Sequence, residues 1–487
     1  MSLHVTDVDR VVELFTDRWA LALQVALNAS APYQRAASRW EGAVVLACSD
    51  ASSTGLSAEG EPLERGVYLD LWHGECRAAQ LANAADYASA RYVLSADAAT
   101  WLLVLDGDLA PTMAILRGKI KLKRGTLGGL LPHVHAATAL VVVAQGIDRH
   151  VSGEPHRADT DHGAWLPPAA LGGAVSNAGS GASGVTRPRL QSTSATGIRF
   201  NLLPMRLWEK AKRHGIWNPS DIDFAQDRVD WQTLQPDEQD VLLRLTSLFQ
   251  AGEESVTLDI LPLIDVIAQE GRLEEQLYLT SFLWEEAKHV EVFRRFFDNV
   301  AELSGDLTHY HSSSYQRIFG EELPSAMGRL RTDRSPIAQA RASVTYNMIV
   351  EGVLAETGYH VYHQILTARG IMPGMQRVAA LLKSDESRHL AYGIFLLSRL
   401  VVEHGDDVWR AIAVRMDELL PSAIELINES FAAYPVDNRP FGLAPETFVQ
   451  FAMTQFQRRY DRIERARRQS ISELHTIDEL EGTLRGT

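Results

Sequence analysis

Two stretches of this chain place an acid and an imidazole where a helix would otherwise be apolar. In "SFLWEEAKHVEVF", Glu286 and His289 stand three apart, on one helix face, among Phe282, Leu283, Val290 and Phe293. In "LLKSDESRHLAYGIF", Glu386 and His389 repeat that spacing. Each motif follows an apolar helical stretch with a lone acid. Glu253 in "LFQAGEESVTLDILPLI" lies 33 residues before Glu286, and Glu351 in "VTYNMIVEGVLAETGYHVY" lies 35 residues before Glu386. The order Glu…Glu-x-x-His therefore occurs twice. Such groups are expensive to bury without partners. Two helices giving Glu and two giving Glu-x-x-His supply four carboxylates and two imidazoles, enough to hold two divalent cations, with carboxylates free to bridge them. A single Glu-x-x-His would say little, since that spacing is common on solvated helices. Two copies with matched upstream acids point to a dinuclear metal site.

The elements that must position these residues fall in the second half of the chain. From Ile198 onward, long helical patterns are broken near Gly271, "SGDLTH", "ARGIMPG" and "AYPVDNRPFG", and strand signals nearly vanish. That is an all-α bundle. Residues 1–147 mix short β-branched or aromatic runs ("WEGAVVLAC", "GVYLDLW", "ARYVLSAD") with helical patterns in "DAATWLLVLDGDL" and from Leu127 to Ala144. Between them, residues 148–197 are Gly/Ser/Thr-rich without periodicity, as in a flexible linker. The 487 residues thus read as a multi-domain chain, an α+β unit followed by a helical bundle over 198–487. Gly179, Gly181 and Gly184 have the spacing of a dinucleotide fingerprint, but neither the strand before nor the helix after that such a motif needs. His150, His156 and His162 read as solvated linker residues.

A formal charge of -15 argues against non-specific nucleic-acid binding. Cys48 and Cys76 are too few for a disulfide framework, and a reducing cytoplasm is expected. No apolar run reaches the roughly 20 residues of a membrane span, and the first residues lack the pattern of a signal peptide.

The paired motif is shared by ferritins, desaturases, hydrocarbon monooxygenases and ribonucleotide reductase small subunits. The reductase subunit normally carries a radical-forming Tyr one turn beyond the first His. Phe293 occupies that position here, which disfavours a radical-generating reductase partner. Over roughly residues 198–470 the chain instead resembles the ligand-binding oxidases that share the reductase small-subunit, ferritin-like fold, through "AGEESVTLDILP", "EEAKHVEVF", "YNMIVEGVLAETGYH" and "DESRHLAYGIF". The resemblance implies a manganese–iron site, with Glu253, Glu286 and His289 on manganese and Glu351, Glu386 and His389 on iron. It also implies a long-chain fatty acid bound against the metals and an ether bond between Tyr346 and Val256 formed as dioxygen is activated. Val256, three after Glu253, shares its helix face and offers a tertiary C–H bond. Tyr346 lies five before Glu351, about 140° round an ideal α-helix, so spacing does not aim it at the site. Manganese binds weakly in the divalent series, so affinity does not explain its choice, and a di-iron site stays open. Glu254 and Glu285 read as acids behind the ligands or facing solvent. Glu356 is ambiguous.

Residues 1–147 resemble sterol-carrier-protein-2-like domains, which enclose an apolar ligand tunnel, through "GVYLDLWHGECRAAQL" and "YVLSADAATWLLVLDGDLAPTMAILRGKIKLKRG". Lys119, Lys121 and Lys123 alternate with Ile120 and Leu122 in the last of these, as on a strand with one solvated face; a contact with anionic lipid is the sharper reading. His133 and His135 do not face each other on a helix and are not counted as ligands. The expected protein is a dioxygen-activating metal oxidase, a homodimer drawing on an unidentified reductant, with a lipid carrier fused in front. Its rivals are a di-iron fatty-acyl desaturase or hydroxylase, and a lipid carrier whose metal chemistry only modifies itself.

Overall fold

The computed structural model describes residues 15–56, 62–106, 109, 111–125, 127–130, 133–151, 197–303 and 305–475. The Gly179–Gly184 pattern, His156, His162 and the side chain of His150 lie outside the described residues, as does nearly all of the linker stretch.

The N-terminal unit is built on strands β1 (Val44–Leu56), β2 (Pro62–Trp72), β3 (Glu75–Leu81), β4 (Tyr92–Ala96) and β5 (Lys121–Arg124), in the order β3-β2-β1-β4-β5. β1 pairs with β2 antiparallel and with β4 parallel, so the chain must cross the sheet between them. Helices α1 (Asp17–Ala29), α2 (Ala98–Leu105), α3 (Pro111–Leu116) and α4 (Val134–Val151) belong to the same unit. Alternation along β1 sends Val44 and Cys48 into the main core, and Val45 and Ala47 into a smaller cluster on the other side of the sheet. The helical pattern read from Leu127 to Ala144 is divided into Leu127–Leu130 and α4, with Pro132 between them. β3 forms although "ECRAAQL" is poor in β-branched residues, by pairing antiparallel with β2. Ile120 is buried while Lys121 and Lys123 are exposed, and Lys123 pairs with Glu64. The His133 ring packs at a tilt against Trp40, centroids 4.7 Å apart. Cys48 and Cys76 are buried free thiols.

An apolar cavity lies within this unit, bounded by Trp40, Val44, Leu94, Trp101, Ile115 and Leu140 among others. It encloses about 570 Å³ of atom-free space, any opening included.

The C-terminal unit contains α5 (Leu203–His214), α6 (Pro236–Asp259) and α7 (Leu273–Phe296). α8 begins as Pro336–Ser343, continues through a π-helix at Val344–Ala355 and ends as Glu356–Arg369. α9 (Pro373–His404), α10 (Asp406–Glu429) and α11 (Pro445–Arg465) complete the elements that matter here. Helix ends carry the expected signals. A Gln235/Glu238 capping box opens α6, Ser335 caps α8, and Gly370 closes α8 in the left-handed region at φ 63°. No helix among the described residues is long and apolar enough to cross a membrane.

Candidate metal centre

α6, α7, α8 and α9 each turn acids or imidazoles toward one another. Both imidazoles are fully buried, and none of Glu253, Glu286, Glu351 and Glu386 is more than 5% exposed. His289 Nδ1 lies 3.5 Å from one oxygen each of Glu253, Glu286 and Glu386. His389 Nδ1 lies 3.2 Å from the other oxygen of Glu286, 3.5 Å from the other oxygen of Glu386 and 3.7 Å from Glu351. Glu286 and Glu386 therefore face both imidazoles, as bridging carboxylates must. Glu253 faces only the His289 half and Glu351 only the His389 half. The ligand atoms of Glu253, Glu286, His289 and Glu386 lie within 4.8 Å of one another, as do those of Glu286, Glu351 and His389.

Buried atoms without protein partners give the fit test. Both Nδ1 atoms and one oxygen each of Glu286, Glu351 and Glu386 are buried without a hydrogen bond. Orphans of this kind are rare in folded proteins. Here they converge on the spaces where two cations would sit, and their imidazole and carboxylate chemistry suits divalent manganese and iron.

The outward ring nitrogens are held in a crossed pattern. His289 Nε2 meets Asp385 at 3.3 Å, and His389 Nε2 meets Glu285 at 2.9 Å. Each motif's preceding acid thus supports the other motif's histidine. A carboxylate on Nε2 fixes the tautomer that leaves Nδ1 free to ligate. Lys288 donates to Asp385 at 3.1 Å and Arg388 to Glu285 at 2.6 Å, so two cations balance these two acids. What remains uncompensated is the four inner carboxylates with neutral imidazoles. Two divalent cations match that charge.

Proton affinities of the metal-free cluster reflect the same imbalance. Burial pushes Glu253 up to about 8, against the pull of His289. Burial and the charge of Glu386 raise Glu351 well above the carboxylate range, and burial raises Glu386. Burial also opposes ionisation of Glu286, but hydrogen bonds from both imidazoles outweigh it and hold this acid low. Burial would depress both histidines, yet the surrounding carboxylates raise them well above the usual value. For Lys288 and Asp385 the two partners differ. Burial lowers the lysine, whereas Asp385 is held below its usual range because His289, Lys288 and Arg388 outweigh burial. The short contact and the depressed acid favour the ionised pair.

Tyr346 reaches the site through a local change of helix type. The i→i+5 bonding of a π-helix turns residues five apart toward a common side, where an α-helix would separate them. Tyr346 and Glu351 both lie within the Val344–Ala355 segment. The Tyr346 hydroxyl donates to the Val256 carbonyl at 3.2 Å and lies 3.4 Å from Glu286. Burial and the neighbouring carboxylates raise its pKa, so the phenol keeps its proton. Phe293 is buried against Phe249, with ring centroids 5.1 Å apart.

Two supporting residues were not singled out from sequence. Tyr359 donates to Glu253 at 2.8 Å, and Asn347 donates to Glu351 at 2.9 Å. Asp385 was missed as well. The usable signal is the acid immediately before each Glu-x-x-His and the base immediately before each His, "EEAKH" and "DESRH". Glu285 stands behind His389, Glu254 faces solvent, and Glu356 pairs with the buried Arg459, outside the cluster.

An apolar tunnel of about 760 Å³ of atom-free space, any mouth included, is lined by all four inner carboxylates. Its other walls include Leu248, Phe249, Val256, Phe319, Leu354 and Phe431. An apolar cavity with carboxylates in its lining suits an amphipathic ligand.

Fold and site together define a ferritin-like dinuclear carboxylate protein. The family described as ribonucleotide reductase, small chain, matches residues 204–464, and the SCP-2 sterol transfer family matches residues 24–124. Similar solved structures include R2-like ligand-binding oxidase variants with reconstituted Mn/Fe cofactor. One anaerobically reconstituted variant is 40% identical, with 55% of this chain and 95% of that one covered and a TM-score of 0.52. A second is 39% identical over 56% of this chain and 98% of that one, with a TM-score of 0.53. An aerobically reconstituted variant is 39% identical over 55% and 95%, with a TM-score of 0.51. The chain belongs to the ribonucleotide reductase small-chain family, among its R2-like ligand-binding oxidases, and carries an SCP-2-type domain in front.

Proposed function

We propose that this protein activates dioxygen at a manganese–iron centre beside a long-chain fatty acid or related lipid, and that Tyr346 becomes joined to Val256 by an ether bond. The observation that carries this reading is one cavity whose walls are apolar and whose lining includes the carboxylate cluster and Val256. Glu253, Glu286 and His289 would hold manganese, and Glu351, Glu386 and His389 iron, with Glu286 and Glu386 reaching across. When bound, the metals supply the redox chemistry that reduces dioxygen and oxidises strong C–H and O–H bonds. The protein's own part is positional. Asp385 and Glu285 fix the imidazoles, Tyr359 and Asn347 hold the terminal carboxylates, and the apolar walls exclude water and seat the acyl chain. Residues 1–147, 148–197 and 198–487 are assigned as carrier domain, linker and oxidase domain.

The cross-link breaks the Tyr346 O–H and the Val256 Cβ–H bonds and forms one Cβ–O bond. The two protons and two electrons that leave are taken up by dioxygen, which balances the step at the level of hydrogen peroxide. Val256 is buried, and the Tyr346 phenol donates to its backbone carbonyl. The test is peptide mass spectrometry after loading with both metals and full exposure to dioxygen. The Val256 and Tyr346 peptides should be found linked, lighter than their sum by two hydrogens. Val256→Ala and Tyr346→Phe should bind metal and stay unlinked. Separate peptides in the wild type would remove the cross-link from the account. Catalytic turnover of isotope-labelled fatty acid would separate an enzyme from a self-modifying carrier.

A further inference from the structure

The two units touch through a specific set of residues. Arg117, directly after α3, makes a two-pronged ion pair with Glu464 at 2.9 and 3.1 Å and approaches Asp461 at 3.5 Å. Its guanidinium also lies over the Tyr460 ring, 4.4 Å from the centroid. The Arg117 side chain is only 12% exposed. A planar fork met by a carboxylate and stacked on an aromatic ring is the geometry in which arginine gives specific contacts. Arg39 pairs with Glu425 at 3.1 Å, an exposed contact that adds little affinity. α4 packs on α10.

The positions of these contacts matter more than their number. α3 and α4 wall the carrier cavity through Ile115 and Leu140. α10 receives Arg39 at Glu425, and the residues that follow at once, Leu426 and Ile427, line the oxidase tunnel. One helix thus carries the docked domain and walls the cavity at the metal site.

We infer that helices α10 and α11 form a docking surface for the chain's own carrier domain, clasped by Arg117, which holds the carrier cavity beside the tunnel wall so that a long-chain lipid passes between them within one chain. The handover rests on the proposed lipid reading, whereas the docking does not. Docking raises the local concentration of carrier cavity above what a tether alone gives, and so speeds transfer without altering the tunnel's own affinity.

The test uses the metal-loaded full chain. Cys48 and Cys76 are buried, so nitroxides placed at Ala88→Cys and Thr454→Cys report the inter-domain distance. The parent should give one narrow distribution. Arg117→Glu should broaden it, and adding Glu464→Arg should narrow it again. A fluorescent long-chain fatty acid, quenched as it enters the metal-lined tunnel, reports handover. Arg117→Glu should slow that quenching by about tenfold while leaving equilibrium quenching unchanged. A broad parent distribution, or one indifferent to Arg117→Glu, overturns the docking and leaves the lipid reading standing. A narrow, Arg117-dependent distribution with no quenching in any variant overturns the handover and the lipid reading together, and leaves the docking. Equal quenching rates with docking abolished overturn the handover alone.

Discussion

Replacing Asp385 with Asn should weaken metal binding in the half of the centre that Asp385 does not belong to by sequence. Asp385 precedes Glu386 and His389, but one of its oxygens accepts from Trp217 at 2.8 Å, Lys288 at 3.1 Å and His289 at 3.3 Å. Asn keeps the shape and one acceptor, loses the charge and turns an NH2 toward Arg388. Ala would be the poorer choice, since stripping a buried ion of its partner costs about 3–5 kcal/mol and would mix misfolding with binding. Loss of a carboxylate behind a ligating histidine typically costs about 10- to 100-fold in metal affinity. That is roughly 1.4–2.7 kcal/mol at the Glu253/His289 half. The Glu351/His389 half should change by less than about threefold, because its imidazole is held by Glu285. Chelator competition gives the affinities, and anomalous diffraction says which half has emptied. Glu285→Gln should give the mirror result. A loss confined to the His389 half in Asp385→Asn would refute the crossed support.

Four further outcomes follow from the geometry. A Cβ at Gly393 would lie 2.4 Å from the Asn347 Cβ, so Gly393→Ala should destabilise the protein by about 1–3 kcal/mol and, by displacing the residue that holds Glu351, loosen the His389 half; denaturant midpoints and metal content check both. The metal-free protein should lose stability as pH rises from about 4.5 to about 8, because Glu253 is raised in the folded state and the unfolded chain gives up that proton first, with the raised histidines acting in the same direction; the metal-loaded protein should lack this slope in thermal melts. Over the same range, metal uptake should tighten with pH and release protons. A fragment ending at Val151 should bind long-chain fatty acid or sterol without metal, by native mass spectrometry, through the Trp40/Trp101/Leu140 cavity.

The six clustered residues were legible because their chemistry is discordant with their surroundings. An acid and an imidazole on an apolar helix face, written twice with an upstream acid each time, need cations, and that holds without coordinates. The crossing of Asp385 and Glu285 was hidden because nothing in a linear motif says which histidine an adjacent acid will meet across the bundle. Spacing alone did not point Tyr346 at the site for a different reason. Its angle from Glu351 was reckoned on an α-helix, and Val344–Ala355 is wound as a π-helix. In the N-terminal unit, β1, β2 and β4 announce themselves through Val, Leu and Tyr runs. β3 is poor in such residues, and its place in the sheet comes from pairing with β2 and from Asn28, whose side chain bonds the Cys76 backbone on both sides.

The most direct test of the central claim is anomalous diffraction at the manganese and iron edges, on crystals of protein loaded with both metals. The account predicts manganese between Glu253 and His289, iron between Glu351 and His389, and Glu286 and Glu386 shared by the two peaks. A single metal, a pair outside these six residues, or iron alone in both positions after loading with equal amounts of each metal would contradict it.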